Sequence, residues 1–505
     1  MSPATRSAGF LAGWIFPSRF RSRLACGLQG SLGFLLGVLA APLSAELPVV
    51  RLAHVFPPGG KAGTSFEVTV AGSDLDEAAR IYFSDAGLSA TPKTDDNKFT
   101  VTIASNTPPG VYETRFVGRY GISNPRAFVV GSLPEFIFPP TNTVISSAIA
   151  LPLDAAINSR VPPNAVVWFK CSARKSQRLL VECLAGSIDS RMDPALILTD
   201  AAGRELERNR TGGLLDFSPP ADGTYFLKVS DILYRGGDDY FYRLTVSTGP
   251  RIDFVMPPAG LPGTKSNYTL YGRNLPAGKP AKGLGIDGKP LEQLSVEISF
   301  PSVPATSQSA TDSSSSGSPR KTSPGWVPTP ALPAAAVVDG FEYRLSTPKG
   351  LSNPVLLGFA TAPVVLEQEP NNKPSQAQKI APPCEVAGQF YPAGEQDWFV
   401  FDAKKGEVFW IEIFSQRLGL PTDPFVLIQR VTKNDRGEEE AADLQELYDS
   451  DNNIGDREFN TTTRDPAARL EVKETGSSFS ALNTARALSI VSACAGKRPT
   501  SAWSP

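Results

Sequence analysis

The chain has 505 residues, enough for three or four domains of about 150 residues each. Its 49 basic and 51 acidic side chains give a net charge of −2, so no basic footprint for nucleic acid is present. The single histidine, His54, excludes metal sites that need two histidines, and a Ser-His-Asp triad would have to use that residue.

The N-terminal segment predicts a secretory signal peptide over residues 1–45. Arginines without any acidic residue come first, an apolar run follows at 31–41, and small residues precede a cleavage point after Ala45. The run is shorter than the ~20 apolar residues of a membrane span; an uncleaved anchor is the alternative. We expect a secreted, periplasmic or cell-surface protein with no membrane span after signal cleavage.

The chain contains an internal duplication. Residues 55–76 resemble 255–276 at an offset of 200, and Trp168-Phe169 matches Trp398-Phe399 at an offset of 230. One duplicated unit of two domains explains both matches, with an insertion in the third domain. The Ser/Pro-rich stretch 301–335 is predicted to be that insertion, a disordered loop that cannot bury enough apolar surface to order itself.

The first and third domains are predicted to be small β-sandwiches, because apolar and polar residues alternate with a period of two. The sequence from Val55 to Gly72, closed by GISNP at 121–125, resembles the immunoglobulin-like TIG/IPT domains. The resemblance implies Ig-like sandwiches over 46–134 and 250–363. The alternating positions include Phe66, Val68, Val70, Phe99, Val101 and Ile103.

The second and fourth domains also alternate with a period of two, as at Phe409, Ile411 and Ile413. The fourth carries EQEPNN at 367–372, DWFVFDAKKG at 397–406 and Asp423-Pro424. This combination resembles the bacterial pre-peptidase C-terminal (PPC) domain, a jelly-roll-like β-sandwich. It implies one copy over 135–249 and a second over 364–476. The whole arrangement, all-β with tandem β-sandwiches, resembles exported planctomycete-type proteins.

The two PPC-like copies differ in two places. Copy one has PPTN at 139–142 against EPNN, and Val167 where copy two has Asp397, so chemistry carried by those acids is expected only in copy two. Residues 477–505 lose the alternation of their counterparts. They predict an aberrant tail, from a frameshift or a truncation, that leaves copy two without its closing strands and with an open sheet edge.

An acidic linker predicts a calcium site. Glu367, Glu369, Asn371 and Asn372 place four oxygen-bearing side chains within six residues, and Ca²⁺ takes oxygen ligands. PPC-like domains of bacterial collagenases bind calcium with such a linker and an aspartate near the first core strand. The resemblance implies the same role for these four residues and Asp397, docking the linker onto the sandwich. A solvated acidic linker is the alternative.

Trp410 is the candidate ligand-binding aromatic residue. It lies on the opposite parity from the apolar Phe409 and Ile411, so it points away from the predicted core. It could stack on a sugar ring or a peptide; packing against a neighbouring domain is the alternative.

The cysteines leave one pairing open. Cys171 and Cys183 could bond across two neighbouring strands, or stay as small buried apolar residues. The remaining cysteines are too scattered for a CxxC metal site.

The sequence predicts a protein that is not an enzyme, since it shows neither a GxSxG elbow nor a P-loop. The expected function is adhesion, spacing or ligand binding at the cell surface or in the periplasm, with an extracellular polysaccharide or protein as partner. One alternative is the accessory region of a secreted hydrolase whose catalytic part is missing. The other is a carbohydrate-binding protein that uses Trp410.

Overall fold

The computed structural model describes residues 48–77, 80–94, 97–210, 214–286, 288–302, 338–391, 394–420, 422–451, 453, 461–474, 476–484 and 490–496. Within these ranges the regular secondary structure consists of β-strands and four short 3₁₀ turns, without an α-helix. This part of the chain therefore holds no helix that is long and apolar enough to cross a bilayer. The predicted signal peptide, and the predicted insertion from residue 303 onward, lie outside the described residues.

The first sandwich places its alternating residues as the sequence predicts. Val68 and Val70 are buried between two sheets, whereas Glu67 and Thr69 face outward. The sheets run β1-β3-β6-β5 and β2-β9-β7-β4, with β8 added to β7. The strands are β1 (Arg51–Phe56), β2 (Gly59–Lys61), β3 (Ser65–Ser73), β4 (Arg80–Phe83), β5 (Leu88–Pro92), β6 (Lys98–Ile103), β7 (Gly110–Gly118), β8 (Gly121–Ile122) and β9 (Arg126–Gly131).

The second sandwich has two five-stranded sheets, β10-β12-β19-β14-β17 and β11-β13-β18-β15-β16. Short 3₁₀ turns lie at Ile145–Ser147 and Gly186–Ile188. Its strands are β10 (Glu135–Ile137), β11 (Ile149–Ala150), β12 (Ala155–Arg160), β13 (Val167–Ala173), β14 (Leu179–Leu184), β15 (Pro194–Thr199), β16 (Glu205–Asn209), β17 (Leu214–Phe217), β18 (Gly223–Asp231) and β19 (Phe241–Ser247).

The third sandwich repeats the first. Its larger sheet runs β20-β22-β24-β23, beside β21-β28-β25 and the hairpin β26-β27. The first strand pair of each sandwich carries a bulge at the same place, Leu52/His54 and Ile252/Phe254. The strands are β20 (Arg251–Met256), β21 (Ala259–Gly260), β22 (Lys265–Arg273), β23 (Lys279–Ile286), β24 (Lys289–Ser299), β25 (Gly340–Tyr343), β26 (Ser346–Thr347), β27 (Gly350–Leu351) and β28 (Val355–Phe359).

The fourth sandwich repeats the second strand for strand. Its sheets run β29-β31-β38-β33-β36 and β30-β32-β37-β34-β35, the order of the second sandwich with every label raised by 19. Its 3₁₀ turns are Pro374–Gln376 and Gln416–Leu418. The strands are β29 (Val364–Leu366), β30 (Gln378–Lys379), β31 (Cys384–Gln389), β32 (Gln396–Ala403), β33 (Val408–Phe414), β34 (Pro424–Lys433), β35 (Glu439–Leu447), β36 (Ala467–Glu471), β37 (Gly476–Thr484) and β38 (Ile490–Gly496).

The prediction that copy two lacks its closing strands is wrong. β37 pairs with β32 and β34, and β38 pairs with β31 and β33, so both lie at the centre of their sheets. Strand pairing uses backbone N–H and C=O groups, and residues 476–496 contain no proline to interrupt it. The loss of side-chain alternation therefore does not prevent this segment from closing both sheets.

Charged side chains form a contact between the second and third sandwiches. Asp216 of β17 accepts two hydrogen bonds from Arg178, at 2.8 and 2.5 Å, and lies 2.8 Å from Arg273 Nε of the third sandwich. Arg273 Nη1 in turn donates to Asp253 at 2.7 Å. Because Asp216, Arg273 and Asp253 are largely buried, loss of any one would leave an uncompensated charge at this joint.

The joint between the first and second sandwiches holds the only histidine. His54 is 4% exposed, and its Nδ1 lies 3.0 Å from Asp239 Oδ1. Burial lowers the pKa of His54. The backbone N–H of Ala127 donates to Asp189 Oδ2 at 2.6 Å across the same joint. This imidazole is thus a packing residue between two sandwiches.

Candidate metal centre

Three carboxylates converge where the acidic segment predicted to be a linker, which follows β29 within the fourth sandwich, meets the start of β32. Glu367 follows β29, Glu369 lies two residues on, and Asp397 is the second residue of β32. One oxygen from each lies within 4.8 Å of the other two. Asp397 is 2% exposed, and Glu367 is half-buried, whereas Glu369 is exposed. The cluster is therefore open to solvent on the linker side.

Backbone hydrogen bonds hold the linker against the sandwich. The N–H of Glu367 donates to Ala387 O at 2.9 Å, which extends the pairing of β29 with β31 by one residue. Four residues later, Asn371 O accepts from the N–H of Trp398 at 2.9 Å. These two anchors place Glu367 and Asn371 on either side of Glu369, facing the start of β32.

Glu367 lies in a cradle built for its carboxylate. Its Oε2 accepts from the N–H of Gln389 at 2.8 Å, and its Oε1 accepts from Asn371 Nδ2 at 2.9 Å. A Cβ on Gly388 would come within 2.5 Å of Glu367 Oε2, so a larger residue there would displace this carboxylate. Burial raises the pKa of Glu367 to about 7, despite those two hydrogen bonds, and the charges of Glu369 and Glu395 add to the rise.

Asp397 is the most perturbed acid of the cluster. Its Oδ1 is buried and accepts no hydrogen bond within the described part of the chain. Burial, followed by the charges of Glu367, Glu395 and Glu369, raises its pKa to about 9. Like charges around a desolvated carboxyl disfavour its ionised form, and a bound cation would reverse that balance.

The two asparagines take different positions. Asn371 is fully buried, and its Oδ1 has no hydrogen-bond donor among the described residues. Asn142, its counterpart in copy one, also has an unpartnered Oδ1, so this feature belongs to the fold. Asn372 is exposed, and its Nδ2 donates to Glu395 Oε1 at 3.2 Å. The carboxylates, and not the buried amide of Asn371, distinguish this site from its counterpart in the second sandwich.

Sequence analysis missed Glu395. This half-buried acid accepts from the N–H of Tyr391 at 2.8 Å, and burial raises its pKa, with a further contribution from Glu369. Glu395 and Asp397 are two residues apart where β32 begins, so strand periodicity places them on the same side. This two-residue spacing from Asp397 is the feature of the sequence from which Glu395 could have been predicted. With Glu367 and Glu369, Glu395 is the third carboxylate in the surroundings of Asp397.

Copy one lacks every carboxylate of this cluster. Asn142 O accepts from the N–H of Trp168 at 2.8 Å, as Asn371 O does from Trp398, so Asn142 corresponds to Asn371. The alignment of PPTN with EPNN is therefore shifted by one residue. In the corrected register Phe138 and Pro140 stand for Glu367 and Glu369, and Val167 stands for Asp397.

Trp410 lies on β33 with the predicted parity. Phe409 and Ile411 on either side are buried in the core, and Trp410 is half-buried on the other face. It pairs with Arg469 of β36 in the strand register, and it interacts with other groups of the protein. Stacking on a sugar or peptide stays a prediction.

The cysteines of copy one are free thiols. Cys171 on β13 and Cys183 on β14 belong to opposite sheets and are both buried. Burial raises the pKa of Cys171 to about 11 and also raises the pKa of Cys183. A protonated, buried thiol is a packing residue rather than a nucleophile.

Comparison with known proteins gives no family. No protein-family model and no curated protein matches the chain. The pre-peptidase C-terminal domain of a collagenase from Bacillus anthracis is similar to 20% of this chain and 93% of its own, with 14% identity and a TM-score of 0.16. The protein SGBP-B from a mixed-linkage glucan utilization locus of Bacteroides ovatus covers 89% of this chain and 77% of its own, with 9% identity and a TM-score of 0.15.

An SGBP-B from a complex xyloglucan utilization locus in Bacteroides uniformis is also similar. It covers 89% of this chain and 99% of its own, with 10% identity and a TM-score of 0.17. These scores are too low to transfer an activity or a ligand to this chain, so its function is inferred from its own residues.

Proposed function

We propose that this chain is an exported, non-catalytic multidomain β protein that binds Ca²⁺ in its fourth sandwich and serves in adhesion or spacing outside the cytoplasm. The observation that carries the proposal is the convergence of Glu367, Glu369 and Asp397 within 4.8 Å at the linker. Three acids brought together with partial burial are unfavourable unless a cation or protons neutralise them.

The donor set fits calcium. Every side chain of the cluster offers oxygen, which hard cations prefer, and neither histidine nor cysteine is among them. Ca²⁺ accepts six to eight oxygens in flexible geometry, and backbone carbonyls and water commonly complete its shell. Glu367, Glu369 and Asp397 would hold the ion, with Asn371 and Glu395 as further oxygen donors. Asn372 is an alternative donor from the exposed side of the linker.

The expected effect of the ion is mechanical. Glu367 and Glu369 lie in the segment that follows β29, an edge strand of one sheet, and Asp397 lies on β32 of the other sheet, so one ion would bridge this segment and β32 within the fourth sandwich. It would stabilise this segment in its position against β32; β29, which precedes the segment, begins directly after the joint with the third sandwich. That joint already contains Thr361, whose N–H donates to Glu385 Oε1 at 2.7 Å, and an apolar cluster with Phe254 and Tyr391.

The non-catalytic part of the proposal rests on where the reactive side chains lie. His54 is enclosed between two sandwiches, and Cys171 and Cys183 are buried thiols. The charged joint between the second and third sandwiches supports a spacing role, because it fixes their relative orientation.

Thermal unfolding of the full mature chain, with Ca²⁺ or with a chelator, tests the proposal. Ca²⁺ should raise the melting temperature of the parent by about 5 °C or more. Glu369→Gln should lose this shift, whereas the matched control Glu471→Gln, an exposed acid on β36, should keep it. Equal shifts in both variants, or none in the parent, would refute calcium binding at this cluster.

The alternative interpretations stay predictions. Glycan binding that is lost in Trp410→Ala would favour a carbohydrate-binding protein. A catalytic domain encoded downstream in the genome would favour the accessory region of a secreted hydrolase.

A further inference from the structure

The third sandwich docks on one face of the second. This face is the outer side of β14 and β17, and it carries Leu180, Glu182 and Asp216. Glu182 Oε1 accepts from Arg251 Nη1 at 3.0 Å, and Asp216 lies 2.8 Å from Arg273 Nε. Leu180 and Asp216 are only 4% and 7% exposed. The contact between these two sandwiches therefore excludes water from an outer sheet face.

The duplication repeats this face on the fourth sandwich, on the outer side of β33 and β36. Three side chains take equivalent positions, which are Trp410 for Leu180, Glu412 for Glu182 and Arg469 for Asp216. We call these three residues of the fourth sandwich the tail face. Glu412 pairs with Arg417, and Arg469 pairs with Glu471, both within the fourth sandwich. The side chain of Arg469 is 49% exposed, so the position that the third sandwich covers at Asp216 is open to solvent here.

The first sandwich carries the counterpart of the docking side of the third. Three positions correspond in the register of the first strand pair, which are Arg51 to Arg251, Ser73 to Arg273 and, one residue further, Asp74 to Asn274. Asn274 belongs to the contact, since its Nδ2 donates to Arg178 O at 3.3 Å. We call the three residues of the first sandwich the head face. All three are exposed, and Arg51 enters no ion pair among the described residues.

One ion pair of the contact has its counterpart in the head and tail faces. Glu412 and Arg51 stand for the acid and the base that join the second and third sandwiches. Glu412 already accepts from Arg417 Nη1 at 2.8 Å, but its side chain is 31% exposed. A carboxylate has lone pairs for several donors, so Glu412 can accept from a second guanidinium.

At a second position the charges are exchanged between the two sides. Arg469 of the tail face replaces the acid Asp216. On the head face a serine replaces the base Arg273, and the acid Asp74 replaces the neutral Asn274. The third sandwich meets a negative side chain with a positive one, and the first sandwich would meet a positive side chain with a negative one. The head and tail faces are therefore complementary in charge at both positions.

We infer that the head face of one copy of this chain docks on the tail face of a second copy, so that the contact between the second and third sandwiches is reproduced between chains. The two faces differ, so the contact is heterologous and its repetition generates an open filament or a ring. This inference goes beyond the proposed function, and neither face includes a residue of the proposed calcium cluster.

The contact between chains should be weak. Within one chain, β19 ends at Ser247 and β20 begins at Arg251, and this short connection gives the contact a high effective concentration. Two separate chains lack that connection and lose translational and rotational freedom on association. We therefore expect a Kd of about 10–500 µM.

Sedimentation equilibrium of the full mature chain tests this inference, in chelator so that calcium plays no part. Between about 10 and 500 µM the weight-average mass of the parent should rise above that of the monomer. Arg51→Glu, which opposes Glu412 with a like charge, should weaken association by about fivefold or more. The matched control Arg80→Glu, an exposed arginine on β4 in the other sheet, should associate like the parent. A parent that stays monomeric would overturn the inference and leave the tail face to a different partner, and equal weakening in both variants would also refute it.

An exchange of charges between two exposed residues tests the head-to-tail geometry. Asp74→Lys and Arg469→Glu each place like charges opposite one another, so each variant alone should associate about fivefold or more weakly than the parent. An equimolar mixture should regain mass, because the altered head of one variant then meets the altered tail of the other. Both side chains are exposed, so both variants should fold. A mixture no heavier than the separate variants, or undiminished association of each variant alone, would show that other surfaces join the copies.

Discussion

Asp397 and Val167 occupy the same position in the two copies of one sandwich. Each directly precedes a tryptophan whose backbone N–H donates to the carbonyl of an asparagine, Asn371 in one copy and Asn142 in the other. Both side chains are buried, at 2% and 0% exposure. One fold therefore accepts a carboxyl or an isopropyl group at this point, and the difference lies in what surrounds it.

Val167→Asp tests whether those surroundings matter. The new carboxyl would be buried without Glu367, Glu369 or any counterpart of them, so we expect a loss of about 3–5 kcal/mol in the free energy of unfolding. Ca²⁺ should not restore this loss. Urea denaturation with and without Ca²⁺ measures both effects. Calcium-dependent recovery of the variant would show that the linker acids are dispensable for binding.

The raised pKa values predict how pH acts on the calcium-free protein. Asp397 and Glu367 have folded-state pKa values of about 9 and about 7, above the ~4 of unfolded carboxyls. The folded state then binds protons more tightly, so this contribution is fully present below pH ~4 and is lost as the pH rises towards 9. In chelator, the melting temperature should fall between pH 5 and 9, by about 5 °C or more.

Calcium should act in the opposite direction. The bound ion requires ionised carboxylates, so its affinity should increase as the pH rises through 7 towards 9. The gap between melting temperatures with Ca²⁺ and with chelator should widen over the same range. A gap that stays constant from pH 5 to 9 would contradict the assignment of Asp397 and Glu367 to the site.

Asp397→Asn separates metal binding from folding. An amide resembles the protonated carboxyl in size and polarity, so in chelator the variant should be as stable as the parent at low pH and more stable at pH 8. It should lose most of the pH dependence and most of the response to Ca²⁺. Calorimetry at pH 6 and 8 measures this. An undiminished calcium response would exclude Asp397 as a ligand.

Asp216→Ala should weaken the joint between the second and third sandwiches. The substitution removes the carboxylate between Arg178 and Arg273, and we expect a cost of about 2–5 kcal/mol. Hydrogen exchange of β17 and β22 should speed up, while β6 and β33 keep their protection. Glu471→Ala, which breaks an exposed pair with Arg469, should cost about 1 kcal/mol or less. Equal costs would show that the buried network does not hold the joint.

Much of the fold can be predicted from local sequence. Alternation at Phe66, Val68 and Val70, and again at Phe409, Ile411 and Ile413, predicts strands with one buried face, and the all-β sandwich architecture follows. Three of the predicted ligands meet in space: Glu367 and Glu369 are close in sequence, and the resemblance to the PPC domain implies the role of Asp397.

Other features depend on contacts that the local pattern does not encode. Leu179, Leu180 and Val181 are all buried, because a neighbouring sandwich covers the face that Leu180 occupies. Asn142 and Asn371 are equivalent, but the offset between them in the sequence differs by one residue from the offset between the two tryptophans. The backbone hydrogen bonds identify this equivalence, and the local sequence pattern does not. The tail was mispredicted because backbone pairing of β37 and β38 does not require alternating side chains.

Equilibrium dialysis of the full mature chain against ⁴⁵Ca²⁺ at pH 8 tests the central claim most directly. The duplicated sandwich that lacks the acids serves as an internal control, so the predicted result is one ion bound per chain, lost in Glu369→Gln and in Asp397→Asn. No bound ion in the parent chain, or one ion retained by both variants, would contradict the account.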